Sequence, residues 1–241
     1  QTWFDDPEGQ FDDFSVKIPK LEREKIGLFY DYAADGDYLK NIHVDAYSQT
    51  IERKFENRVK TTQVIPSPMI KALTVSNQTN TNDKQYTQGV TLQSNFSLPA
   101  NNELVIGTQY QHDKIKQDTD GSTRQTAATG FFDTQTRTLS YNEAEQSNTS
   151  LFAQNDWRFA DDWTWTVGAR QYWLSSKLKR NDTQTLQSSG STWQSTGGNS
   201  VHDDELVTST SLRYSGFKDL ELRAAYAQGY VFPTLTQLFM Q

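Results

Sequence analysis

Three histidines, His43, His112 and His202, are the residues best able to bind a metal or move a proton, and their spacing suits neither task. A metal site needs His or carboxylates at short, fixed spacing. The run His202-Asp203-Asp204-Glu205 reads as an acidic loop edge. Gly197-Gly198 is too short for a phosphate loop and reads as loop flexibility. The chain has no cysteine, which excludes disulfides, thiolate catalysis and Cys-ligated metal. No catalytic constellation remains. The expectation is a protein that is not an enzyme, with no intrinsic cofactor and no metal.

The elements that position the other side chains must be read from composition and pattern. Of 241 residues, 23 are Lys or Arg and 30 are Asp or Glu, a formal net charge of -7. That balance argues against a nucleic-acid partner. Only 34% of residues are apolar, mean hydropathy is -0.78, and no run of about 18 apolar residues offers a transmembrane helix. Abundant Asn, Gln, Ser and Thr could mean disorder. Six Trp, 11 Tyr and 13 Phe argue otherwise and need a place. Gln1-Thr2-Trp3-Phe4-Asp5-Asp6 reads as loop and not as a signal peptide. Both ends read as cuts in a longer chain.

The hydrophobic period is two. Trp163, Trp165, Val167, Ala169 and Trp173 share a face, opposed by Thr164, Thr166, Gly168, Arg170 and Tyr172. Leu104, Ile106, Thr108 and Tyr110 alternate with Val105, Gly107, Gln109 and Gln111. Such alternation gives each strand one greasy and one polar face. Eight strands are expected, near 23–33, 38–51, 83–97, 103–114, 144–158, 163–178, 204–214 and 220–231. Short turns join them in pairs: Ala34-Asp35-Gly36-Asp37, Leu98-Pro99-Ala100-Asn101-Asn102, Phe159-Ala160-Asp161-Asp162 and Ser215-Gly216-Phe217-Lys218-Asp219. The intervening stretches 52–82, 115–143 and 179–203 are polar and weakly patterned, and read as long loops.

Short turns on one edge and long loops on the other describe an antiparallel transmembrane β-barrel, with short periplasmic turns and long extracellular loops. A polar lumen face lowers hydropathy without making the chain soluble. The aromatic residues flanking the short turns, Phe96, Trp157, Phe159, Trp163, Trp165, Tyr214 and Phe217, then read as a membrane-interface girdle.

The segment from Ser150 through Phe152 and Gln154 to Trp157 resembles the "S-x-F-x-Q-x-x-W" strand of the TonB-dependent outer-membrane receptors. Trp163 to Arg170 is similar to that family's "W-x-L-T-x-G-x-R" strand, and Leu222 to Thr234 to its "L-R-A-x-Y-x-x-G-F-[RK]-A-P-T" segment, with Gly229, Tyr230, Pro233 and Thr234 at the motif positions. The resemblance covers the second half of the chain well and the first half only in layout. It implies about eight strands of a 22-stranded barrel, residues 1–241 forming part of one barrel domain without its N-terminal plug or its C-terminal strands. It implies a monomeric outer-membrane transporter of a Gram-negative cell, set among outer-membrane lipid and lipopolysaccharide and driven by TonB-ExbB-ExbD through the missing plug. The ligand would be an iron complex, a ferric siderophore ahead of haem, because Val231 and Phe232 replace the Arg and Ala of the haem receptors' "F-R-A-P".

Ferric siderophores are often anionic and ring-bearing, which suits Arg and aromatic side chains. The candidate ligand-binding residues are Arg124, Arg137, Tyr141, Tyr172, Lys179, Arg180 and Trp193. Arg170 and Arg223 are expected in the lumen, pairing with carboxylates on neighbouring strands or on the plug. Two other readings compete: a complete eight-stranded barrel without transport function, and a soluble carbohydrate-binding β-sandwich. An eight-strand arc of a large barrel also predicts a sheet with open edges.

Overall fold

The computed structural model describes residues 11–239. The expected loop at residues 1–6 and the last two residues, Met240 and Gln241, lie outside that range. Nine antiparallel strands form one sheet: β1 (Asp13–Ala33), β2 (Leu39–Val64), β3 (Ala72–Leu98), β4 (Asn102–Ala127), β5 (Asp133–Ala160), β6 (Trp163–Gln187), β7 (Gly190–Thr196), β8 (Ser200–Phe217) and β9 (Leu220–Ala227). A five-residue helix, α1 (Leu235–Phe239), follows. Each strand pairs with its sequence neighbour, except that β8 pairs with the lower part of β6 while β7 pairs with its upper part. β1 and β9 end the sheet and do not pair with each other among the described residues. The sheet is therefore an open arc, as the sequence predicts.

The registers put the alternating residues into continuous rows. Val44, Leu92, Thr108, Leu151, Gln171 and Leu206 form one row. Ala46, Val90, Tyr110, Thr149 and Trp173 form the next. The face that carries them also carries the exposed Ile26, Leu28, Ile106, Trp165, Val167, Leu212 and Leu222. The opposite face carries Gln49, Thr87, Gln111, Ser150, Thr166 and Ser211. Greasy side chains in exposed rows fit lipid, and the polar rows fit a wet lumen. From Trp163 to Trp173 the greasy face spans about 33 Å along the strand, or about 25 Å of height at a tilt near 40°. Among the described residues, no helix is long and apolar enough to cross a membrane. Crossing falls to the strands.

The expected long loops are corrected. Residues 52–64 and 72–82 extend β2 and β3 into a hairpin closed by a turn at 65–71, and β4 and β5 extend likewise to a turn at 128–132. Stretch 179–203 holds the end of β6 and the unforeseen β7. The reason is physical. Above the membrane both faces of a ladder meet water, so nothing enforces alternation while backbone pairing continues. The expected strand 220–231 also stops early, at Ala227.

Close approaches pin the lumen wall. A Cβ on Gly107 would collide with the ring of Phe152 and lie 2.8 Å from the Leu92 carbonyl oxygen. Gly89 lies under the ring of Tyr47, whose side-chain atoms are the nearest to an added Cβ there.

Candidate functional site

Strand parity decides which side of the wall each candidate serves. Tyr172 stands on the lumen face, in the row of Arg170 and Thr166. Arg124, Arg137 and Tyr141 stand in rows continuous with Leu151 and Trp157, so they face outward. Lys179, Arg180 and Trp193 join them, following the register shift that inserts Lys179 opposite Glu143 and Ala144.

The outward group is held by ion pairs. Arg124 binds both carboxylate oxygens of Asp133, at 2.9 and 2.5 Å. Arg137 does the same to Asp120, at 2.8 and 2.7 Å. These guanidinium bonds hold both carboxyls below their usual range. Lys179 pairs with Glu145 at 2.5 Å, and Arg180 pairs with Asp182. The Arg180 guanidinium sits 5.1 Å from the Tyr141 ring centre. The Tyr141 hydroxyl donates to Glu143 at 2.8 Å. Burial, then that bond, pushes the hydroxyl up to about 12. Tyr141, Arg180 and Trp193 share the rim of a 570 Å³ cavity with Leu139, Asp118 and Asp120.

On the lumen face the centre is Arg170. Its guanidinium lies 5.2 Å from the Phe152 ring centre and 4.9 Å from that of Tyr172. It donates to Ser150 Oγ at 2.8 Å and to Gln109. The expectation of a carboxylate on a neighbouring strand is corrected among the described residues: on a wall lined here by amides and hydroxyls, Arg170 meets neutral acceptors and two rings. Arg223 faces Arg213 across the ladder, and it is Arg213 that reaches Glu221, at 3.8 Å.

The stack continues. Tyr172 lies 5.4 Å from Tyr230, and Tyr230 lies 6.4 Å from Phe232. Tyr230 donates to Asp203 at 2.7 Å. The irregular segment after β9 thus returns across the lumen face. Thr234 caps α1: its N–H donates to Gln237 Oε1 at 2.9 Å, and Gln237 N–H donates back to Thr234 Oγ1 at 3.3 Å, a reciprocal capping box. Leu235 then packs against Ala144 and Leu178. Gly229 and Pro233 belong to the same segment.

Six of the seven girdle candidates form one chain of ring contacts beside the short turns. Trp157 meets Phe159 at 5.6 Å and Trp165 at 6.4 Å, Phe159 meets Trp163 at 6.3 Å, Trp163 meets Tyr214 at 4.6 Å, and Tyr214 meets Phe217 at 5.1 Å. Phe96 stands apart, opposite Leu39 and Leu104. The histidines are dispersed: His43 lies 2.5 Å from Asp31, and His112 lies 3.0 Å from Ser147. Among the described residues, no group of three or more His or carboxylates could hold a metal.

A family model described as "TonB dependent receptor-like, beta-barrel" matches residues 1–241. The chain belongs to the TonB-dependent receptor family. TonB-dependent receptors are outer-membrane transporters, which places this barrel portion in the outer membrane. No curated protein matches the sequence. Solved structures similar to it include the copper transporter OprC, at 11% identity and TM-score 0.36 over 88% of this chain and 47% of that one. The siderophore receptor PiuA from Acinetobacter baumannii is 9% identical, with TM-score 0.28, over 88% and 48%. The ferric yersiniabactin uptake receptor FyuA from Yersinia pestis is 11% identical, with TM-score 0.32, over 91% and 47%. This TonB-dependent receptor chain therefore spans about half the length of those structures.

The sequence missed Phe152 and Gln109 as partners of Arg170. The available signal was register: Gly107 and Phe152 are cross-strand partners, and a Gly beside an aromatic residue marks a ring lying flat on the wall.

Proposed function

We propose that the receptor carrying this barrel portion imports a ferric siderophore of the anionic, ring-bearing kind. The observation that carries the reading is Arg170 on the lumen face, flanked by Phe152 and Tyr172, with the Tyr230 ring extending the stack. A guanidinium between aromatic rings offers charge to an anion and stacking to its rings at one place. The plug and the remaining strands belong to the rest of the receptor, TonB-ExbB-ExbD supplies the drive, and the barrel works as a monomer. The seven girdle residues seat the barrel at the headgroup layer.

The test is binding and growth. The full receptor is titrated with ferric catecholate and ferric hydroxamate siderophores while its Trp fluorescence is followed. Tight quenching by an aryl-bearing ferric complex is expected, weakened about tenfold by Arg170→Ala. A deletion strain should fail to grow on that complex as sole iron source. Normal growth on every siderophore offered, with no quenching, overturns the proposal.

A further inference from the structure

Past β9 the chain leaves the ladder and lies across the lumen face. Its root is fixed. Gln228 N–H donates to the Thr208 carbonyl at 3.0 Å, and Gln228 Oε1 accepts from Thr208 N–H and Oγ1, both at 2.9 Å. The next residue can turn freely: a Cβ on Gly229 would meet nothing within 4 Å. Beyond this hinge two points fasten the segment. The Tyr230 hydroxyl donates to Asp203 at 2.7 Å. Leu235 is buried against Ala144 and Leu178, with Ile115 beside it. Between the two, Val231 is 92% exposed. One hydrogen bond and one buried apolar side chain make a fastening that opens locally while the strands stay paired. There is room to open: Thr234 to Thr236 border a 610 Å³ cavity with Lys25, Thr87 and Asp113.

What the segment covers is the ring of Tyr172. Arg170 lies one row below Tyr172 on the same face of β6, with its guanidinium 4.9 Å from that ring. Asp203 stands opposite Leu174, one row above. Tyr230, bonded to Asp203, therefore reaches Tyr172 from above, at 5.4 Å. The ring is flanked on both sides along the strand, by the cation below and by Tyr230 above. A ligand that gives its charge to Arg170 and stacks its ring on Tyr172 needs the place that Tyr230 holds. Two rings cannot share it, so docking of the segment and stacking of the ligand exclude each other. A competitor tethered to the wall lowers the apparent affinity by the fraction of receptors left open.

We infer that residues 229–239 form a luminal latch, in which Tyr230 holds the ring place on Tyr172 until an aryl group of the ligand takes it. The latch rests on the siderophore reading for the identity of that ligand. The experiment uses the full receptor with Val231→Cys carrying a spin label, and folding is checked by heat-modifiable mobility. The label should move slowly in the empty receptor. Leu235→Ser should free it with no ligand present, and salicylate, a single-ring anion, should free it in the otherwise unaltered receptor. Tyr230→Phe keeps the ring and removes one hydrogen bond, which shifts the balance toward the open form about fivefold. Affinity for an aryl-bearing ferric complex should rise by up to that factor. A ring that merely helps to hold the ligand would give the opposite sign or no change. Unchanged or weaker binding by the folded Tyr230→Phe variant overturns the latch. So does a label that is already mobile in the empty receptor, or one that neither Leu235→Ser nor salicylate frees. If the siderophore reading alone is wrong, no ferric complex binds, yet salicylate still frees the label. If the latch alone is wrong, a ferric complex still quenches the Trp fluorescence while the label does not respond.

Discussion

Arg137 and Asp120 meet through two parallel bonds, the strong form of a guanidinium–carboxylate pair. They lie on the β4–β5 hairpin, where water screens them, so the pair steadies the hairpin locally without governing global stability. The sign follows from Asp120, whose folded pKa lies below its ordinary 3.8. Its contribution is present above pH 4 and disappears as pH falls through the lower folded value. Hydrogen exchange at residues 117–140, corrected for intrinsic rate, should stay slow from pH 7 to about 4 and quicken below. Arg137→Ala should quicken it across the whole range and flatten the profile. A profile that Arg137→Ala leaves unchanged would sink this assignment. The residue types here were legible in the sequence, but their side of the wall was not. Arg124, Arg137 and Arg180 sit where alternation has faded, and the register shift at Lys179 is invisible without its partner strand.

At the scale of elements, what was legible was whatever lipid enforces. The turns expected at 34–37, 98–102, 159–162 and 215–219 overlie the breaks at 34–38, 99–101, 161–162 and 218–219, and the greasy rows between them stand where the period of two put them. The upper halves of β2 to β5 escaped because Thr, Asn, Gln and Ser there pair their backbones without a greasy face to mark them. The lumen wall offers a test of how tightly the lower halves are built. Gly107 has backbone, the Leu92 carbonyl, within 2.8 Å of any added Cβ, besides the Phe152 ring. At Gly89 the nearest atoms to an added Cβ all belong to the Tyr47 ring end, a side chain that can swing away. Gly107→Ala should therefore cost about 1–3 kcal/mol, and Gly89→Ala markedly less. Temperatures of heat-modifiable mobility loss for the two variants of the full receptor give the comparison. Equal shifts would mean that the wall at Gly107 yields as easily as a side chain.

For the whole molecule, the decisive property is the pair of open edges. β1 and β9 present backbone groups that no described strand satisfies. In water such edges recruit other edges, and in hydrocarbon each unpaired group costs several kcal/mol. The greasy face adds a second drive, since Leu28, Val90, Leu151, Val167 and Leu222 all stand exposed on it. The buried apolar set is too small to oppose either: among the described residues only Ala127, Ala144, Leu174, Leu178 and Leu235 are buried and hydrophobic. A soluble β-sandwich would show the reverse, a large shared core between two closed faces. The 241-residue chain expressed alone should therefore associate in water in a concentration-dependent way, and detergent should disperse it without giving a stable closed barrel. Sedimentation with and without detergent reads the first point, and resistance of the folded band to heating reads the second. A monodisperse monomer in plain buffer would remove the membrane reading altogether. A heat-resistant monomer in detergent would mean that these strands close a barrel of their own.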